Sequence, residues 1–101
     1  MKEILETDEY ANWIDSLRDK RAQIKIDIRI KRLASGNQGS SRNLGGSVSE
    51  LKIDFGPGYR VYYTELNNSI VVLLVGGDKG TQTKDIEKAK LLAKEVRDEY
   101  Q

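Results

Sequence analysis

The residues whose types and spacing suit chemistry fall in one stretch, residues 50–82, ELKIDFGPGYRVYYTELNNSIVVLLVGGDKGTQ. Glu50, Lys52 and Asp54 alternate with Leu51, Ile53 and Phe55, and Arg60 and Tyr62 alternate with Val61 and Tyr63. In strands this period of two puts the polar set on one face. If Gly56-Pro57-Gly58 pairs Phe55 with Tyr59, Asp54 lies across from Arg60 and Lys52 across from Tyr62. Two cations beside a phenol and carboxylates suit an anion. The Arg60–Asp54 pair also reads as an ordinary cross-strand ion pair, worth ~0–1 kcal/mol when exposed. Further on, the Gly76–Gln82 loop, GGDKGTQ, follows a strand and precedes a helix, where free N–H groups and the helix dipole favour an anion. Its glycines and aspartate also make ordinary turns, and Lys79 also reads as a solvated loop lysine. The G-x-x-x-x-G-K-[ST] order of a nucleotide-binding loop is absent.

The chain has neither cysteine nor histidine. Disulfides, thiol nucleophiles, zinc sites and imidazole acid–base chemistry are therefore excluded, leaving Asp, Glu, Lys, Arg, Tyr and backbone groups. No metal and no cofactor is expected. The net charge of +1 hides an asymmetry: residues 1–20 hold six acids against three bases, and residues 21–47 hold six bases against one acid. The basic segment suits phosphate or an acidic partner, and equally a solvated helix face. No apolar run approaches the roughly 20 residues that span a bilayer, and MKEILETDEY lacks the apolar core of an export signal, so a soluble cytoplasmic protein is expected.

At 101 residues, one domain over 1–101 is expected, with elements that position the polar stretch. Residues 2–6 suit a short edge strand. Tyr10, Trp13, Ile14 and Leu17 recur at helical spacing, with Thr7 as N-cap and an end near Arg18–Lys20. Over 21–35, Ile24, Ile26, Ile28 and Ile30 alternate as in a strand. The helical spacing of Ala22, Ile26, Ile30 and Leu33 and the Ser35-Gly36 stop favour a helix. Residues 36–47, GNQGSSRNLGGS, read as a loop. Strands follow at 48–55, 59–66 and 69–77, the last two joined at Asn67-Asn68, a two-residue hairpin signal. That register sends Val71, Leu73 and Val75 to the Arg60 face, to be covered by a last helix or by a partner. The helix is capped at Thr81 or Thr83 and presents Ile86, Ala89, Leu92, Ala93 and Val96. The fold class is α+β, in the order β-α-α-β-β-β-α, with helices packed on a small antiparallel sheet.

At ELKIDFGPGYRVYY and LLVGGDKGTQTKDIEKA the sequence resembles the RelE/ParE superfamily of toxins from type II toxin–antitoxin modules. Its GPGYRVYY and GGDKGTQ motifs are similar to those of the HigB-like branch, the addiction-module killer proteins. The likeness runs from the Trp13 helix to the last helix, and the element order above is the order of that fold. It implies a ribosome-dependent mRNA endoribonuclease, inhibiting translation until its cognate antitoxin neutralises it. Relatives cut by letting the RNA 2′-hydroxyl attack the adjacent phosphate, which needs a base, positive charge on the phosphorane and a proton donor for the leaving oxygen. By position, the resemblance implies that Arg60 stabilises the phosphorane, Lys52 binds phosphate or aids proton transfer, and Lys79 supplies a further cation. It implies base stacking by Tyr62 and hydrogen bonding by Gln82. Glu50 or Asp54 is the implied base, or else these carboxylates pair with Lys52 and Arg60.

The same superfamily includes ParE-like members, non-enzymatic inhibitors of DNA gyrase, and a degenerate toxin that retains only antitoxin binding is a third reading. Fold does not separate them. The implied partners are the cognate antitoxin, mRNA and the ribosome. Operator DNA is implied only through the antitoxin complex.

Overall fold

The structure is a computed structural model and describes residues 1–100. A first strand, β1 (Glu3–Glu6), leads into helix α1 (Asp8–Ser16). Thr7 begins α1 as expected: its Oγ1 accepts from the Tyr10 amide at 3.1 Å and donates to the Leu74 carbonyl at 2.6 Å, so one hydroxyl caps the helix and ties it to the sheet. α1 ends at Ser16, earlier than its apolar spacing suggests, because Asp19 turns extended and caps the next helix, accepting from Arg21 and Ala22 amides. That helix, α2 (Lys20–Ala34), buries Ala22, Ile26, Ile30 and Leu33 and leaves Ile24 and Ile28 outside, so helical spacing prevails over alternation. Gly36, at φ 99°, closes it by donating to the Leu33 carbonyl at 3.0 Å.

The segment expected to be a loop over 36–47 contains a strand, β2 (Ser41–Gly45), antiparallel to β3 (Val48–Ile53). Gly45, Gly46 and Ser47 all take positive φ to make the intervening turn. Beyond β3 come β4 (Tyr59–Leu66), β5 (Ile70–Asp78), a 3-10 turn (Lys79–Thr81) and α3 (Gln82–Glu99). The sheet order is β1-β5-β4-β3-β2. β1 lies at the edge as expected, but parallel to β5, so the sheet is mixed rather than antiparallel. With three helices on a five-stranded sheet the class is α+β.

α1 and α2 cover one sheet face through Tyr10, Ile26, Ile30, Leu51, Val61 and Leu73, and α3 covers the other through Ala89 and Ala93 against Tyr62, Val72, Leu74 and Val75. The expected sharing of one face by Val71, Leu73 and Val75 does not occur. The β4–β5 turn pairs Leu66 with Ile70, leaving three residues between them rather than two. A one-residue slip flips every side chain, so Val71 and Leu73 face α1 and α2. A bulge then intervenes, because Tyr62 pairs with Val75 and Tyr63 with Leu73. The extra residue, Leu74, restores the parity, and Val75 returns to the α3 side. No helix of the described residues is long and apolar enough to cross a membrane.

Candidate functional site

The polar face of β3 and β4 turns toward the start of α3. Its register differs from expectation by two residues: Lys52 pairs with Arg60 and Glu50 with Tyr62. The loop leaving β3 runs from Asp54 to Gly58, with Gly56 and Gly58 both at positive φ, and is longer than the tight GPG turn assumed from sequence. Parity is unchanged, so Glu50, Lys52, Arg60 and Tyr62 still share a side. Asp54 does not face Arg60. It stands 80% exposed in the loop, 3.6 Å from the Lys52 ammonium.

Arg60 is only 6% exposed. Its Nη1 donates to the Gly58 carbonyl at 2.6 Å, its Nε has no hydrogen-bond partner, and no carboxylate lies within 4 Å among the described residues. A buried cation without a counter-ion is costly to keep and primed for an anion. Glu50, 3% exposed, is held from both sides: Arg42 Nε meets Oε1 at 3.1 Å and Gln82 Nε2 donates to Oε2 at 3.1 Å. Ser40, Ser41, Arg42, Glu50, Lys52 and Arg60 line an open depression of about 410 Å³. Three cations against one carboxylate give it positive character.

Lys79, exposed at the first position of the 3-10 turn, does not line the depression. A Cβ placed on Gly58 would meet Arg60 Nη1 at 3.0 Å and Lys79 Cβ at 3.9 Å, so Gly58 sits between the Arg60 guanidinium and the base of the Lys79 side chain. The amides of GGDKGTQ are less free than expected: Asp78 Oδ1 accepts from the Gly80 amide at 2.8 Å and occupies the place an anion would take. Of the residues singled out by sequence, Glu50, Lys52, Arg60, Tyr62 and Gln82 gather here, and Lys79 stands beyond Gly58. Arg42 joins them unforeseen, because its strand was hidden in a loop-like composition. No side-chain pattern marks that strand, since Ser41, Arg42 and Asn43 are all polar.

Tyr62 is fully buried and its hydroxyl makes no hydrogen bond of ordinary geometry. Burial pushes its pKa up, the carboxylates of Glu50 and Asp85 push it further, and Arg60 opposes them in part. The phenol therefore stays neutral, a donor rather than a base. Tyr10 is likewise raised, by burial and then by Glu6 and Asp27. Both folded-state values lie above the ordinary phenol value of 10.0, so this part of the stability is complete below pH 10 and is lost as pH rises beyond it. Thermal melts are expected to drop steeply above about pH 10, and less steeply in Tyr10→Phe/Tyr62→Phe, set by the ordinary phenol pKa. An equally steep drop in the double variant would contradict this.

No protein-family model matches the chain. An uncharacterized protein of Haemophilus influenzae (strain Rd) is 49% identical over 87 residues, spanning 86% of this chain and 88% of that protein. Among solved structures, a chain from the intact E. coli RelBE toxin–antitoxin complex superposes with a TM-score of 0.66 at 11% identity, covering 77% of this chain and 96% of that one. That likeness shows the fold, which is RelE-like.

Proposed function

Since the chain belongs to one family with the Haemophilus influenzae protein and has the RelE-like fold, we propose that it is the toxin of a type II toxin–antitoxin module, a metal-independent endoribonuclease that cuts mRNA under translation. The observation that carries this reading is Arg60, buried without a carboxylate partner among the described residues and opening onto the same depression as Lys52 and Arg42. The GPGYRVYY and GGDKGTQ motifs support the HigB-like branch. The proposed setting is the cytoplasm, with the antitoxin, mRNA and the ribosome as partners and operator DNA reached only through the antitoxin complex.

In the proposed reaction the ribose 2′-oxygen attacks the adjacent phosphorus and gives its proton to a base. The bond to the 5′-oxygen then breaks, that oxygen takes the electron pair and a proton, and the products are a 2′,3′-cyclic phosphate and a free 5′-hydroxyl. Arg60 and Lys52 neutralise charge on the phosphorane, with Lys79, beyond Gly58, as a further cation. Glu50 lines the depression and Asp54 does not, which supports Glu50 as the base. For that role Arg42, whose side chain is 63% exposed, exchanges the carboxylate for the phosphate. Gln82 then keeps Glu50 oriented, and Tyr62, neutral beneath them, is a packing and positioning group rather than an open stacking surface.

The test is inducible expression with and without the neighbouring gene, with transcript ends mapped. Growth arrest with cut transcripts is expected, relieved by the neighbour's product and absent from Lys52→Ala/Arg60→Ala. Toxicity that survives the double substitution would sink the nuclease reading. Intact transcripts with a DNA-damage response would favour the gyrase-type inhibitor, and harmless expression a degenerate toxin.

A further inference from the structure

A second cationic surface lies on the opposite side of the sheet, where α2 runs past the β3–β4 loop. The Phe55 ring is flanked by two cations, the Arg21 guanidinium at 5.5 Å and the Lys25 ammonium at 5.0 Å from its centre. Beside it Lys25, Ile28, Arg29, Arg32, Phe55 and a single carboxylate, that of Asp54, line an open groove of about 280 Å³. Arg29 Nη2 is buried against Gly39 without a hydrogen-bond partner. Among the described residues none of Arg21, Lys25, Arg29 and Arg32 has a carboxylate within 4 Å. Ile24 and Ile28, one helical turn apart, are 59% and 43% exposed along the same face.

We infer that this groove docks an acidic, amphipathic helical segment of a protein partner. The segment's apolar side chains cover Ile24 and Ile28, and its carboxylates meet Lys25, Arg29 and Arg32. The apolar pair decides between a protein and a nucleic acid. Exposed isoleucines gain by burial against aliphatic groups, whereas RNA would need an aromatic platform, and Phe55 is already flanked by its own cations. The charge decides the sign of the partner, since unpaired guanidinium groups take carboxylates in bidentate geometry. In naming this partner as the antitoxin, the inference rests on the toxin reading. It then places the antitoxin's grip on the sheet face away from Arg60.

The probe is a synthetic helical peptide of about 15 residues, long enough to hold helix at least in part, with leucines four apart flanked by glutamates. Its glutamine counterpart and a short single-stranded RNA are the comparators, each titrated against the full chain by fluorescence anisotropy. The acidic peptide is expected to bind at least about tenfold more tightly than the glutamine peptide. Lys25→Glu/Arg32→Glu, both surface changes, should lose at least about tenfold, one ion pair's worth or more. Ile28→Ser should weaken both peptides. Equal binding of the two peptides, or indifference to these substitutions, overturns the inference. So does a loss confined to RNA, which would make the groove a nucleic-acid contact. Transcript cleavage is read separately: Lys25→Glu/Arg32→Glu should cut as the wild type does. A wild type that cuts nothing defeats the toxin reading while leaving the peptide result to judge the groove.

Discussion

Replacing Arg60 with methionine is expected to abolish transcript cleavage while leaving the protein as stable as before, or more so. The two effects separate because Arg60 sits buried with a hydrogen bond from Nη1 to the Gly58 carbonyl, no partner for Nε, and no carboxylate within 4 Å among the described residues. Keeping such a charge out of water is a liability for folding, and apolar replacement of buried charges is often neutral or stabilising by about 1–4 kcal/mol. Under the proposed reaction, the same isolation is what an incoming phosphate would exploit. Removing one preorganised group that stabilises transition-state charge costs about 10²–10³ in rate, so cleavage should fall by at least that factor. Arg60→Lys keeps the charge but not the planar fork, and should fall between the two. The checks are a thermal melt and a timed cleavage assay on each variant. If Arg60→Met melts far below the wild type, Arg60 is a structural residue, and its loss of activity would say nothing about phosphate.

The largest expected loss of stability follows from Gly76→Ala. Gly76 is a β5 residue paired with Val61, and a Cβ there would fall inside the indole of Trp13. The indole has little room to withdraw, since Tyr10 and Tyr59 rings stand 5.8 and 6.1 Å from it, centre to centre. Overpacking of this kind typically costs about 1–3 kcal/mol and occasionally more. With no flexible neighbour to give way, the upper end is expected. For a domain of this size each kcal/mol shifts the melting midpoint by roughly 4–8 °C, so a fall of roughly 10–20 °C is predicted. Adding Trp13→Leu should recover part of it. An unchanged midpoint would mean that α1 does not seat its tryptophan on β5.

The helices were legible from sequence because their stripes and stops agree. Ile26 and Ile30 share a spacing with Ala22 and Leu33, and Ser35-Gly36 ends the run where the structure ends it. β2 was not legible, because only Leu44 among its five residues packs into an apolar cluster. The strand exists by backbone pairing to the free edge of β3, a force that side-chain patterns do not record. Register was lost at both turns for a related reason: Gly56-Pro57-Gly58 and Asn67-Asn68 announce a turn but not its length. The bulge at Leu74 was invisible because Leu73, Leu74 and Val75 are all apolar, so no polar residue marks the change of face. At the site, parity survived these slips and kept Glu50, Lys52, Arg60 and Tyr62 together. Their burial and the Arg42 contact depend on α3 and β2, which no local pattern brings near.

The parallel pairing of β1 with β5 also sets an order of assembly. Thr7 and Leu74 are joined by a hydrogen bond across 67 residues of chain, and β1 has no other strand beside it. The first strand emerges from synthesis long before its partner exists. Closure of so distant a pair is slow relative to local contacts, and a chain made at about 5–20 residues per second leaves β1 unpaired for several seconds. Until residues 70–78 have been made, the sheet lacks β5, the strand between β1 and β4, and Thr7 lacks the Leu74 carbonyl that fastens α1. The finished surface around Arg60, which needs Gln82 of α3 against Glu50, comes later still. A growing chain therefore cannot complete the contact that holds Glu50 until Gln82 has been made.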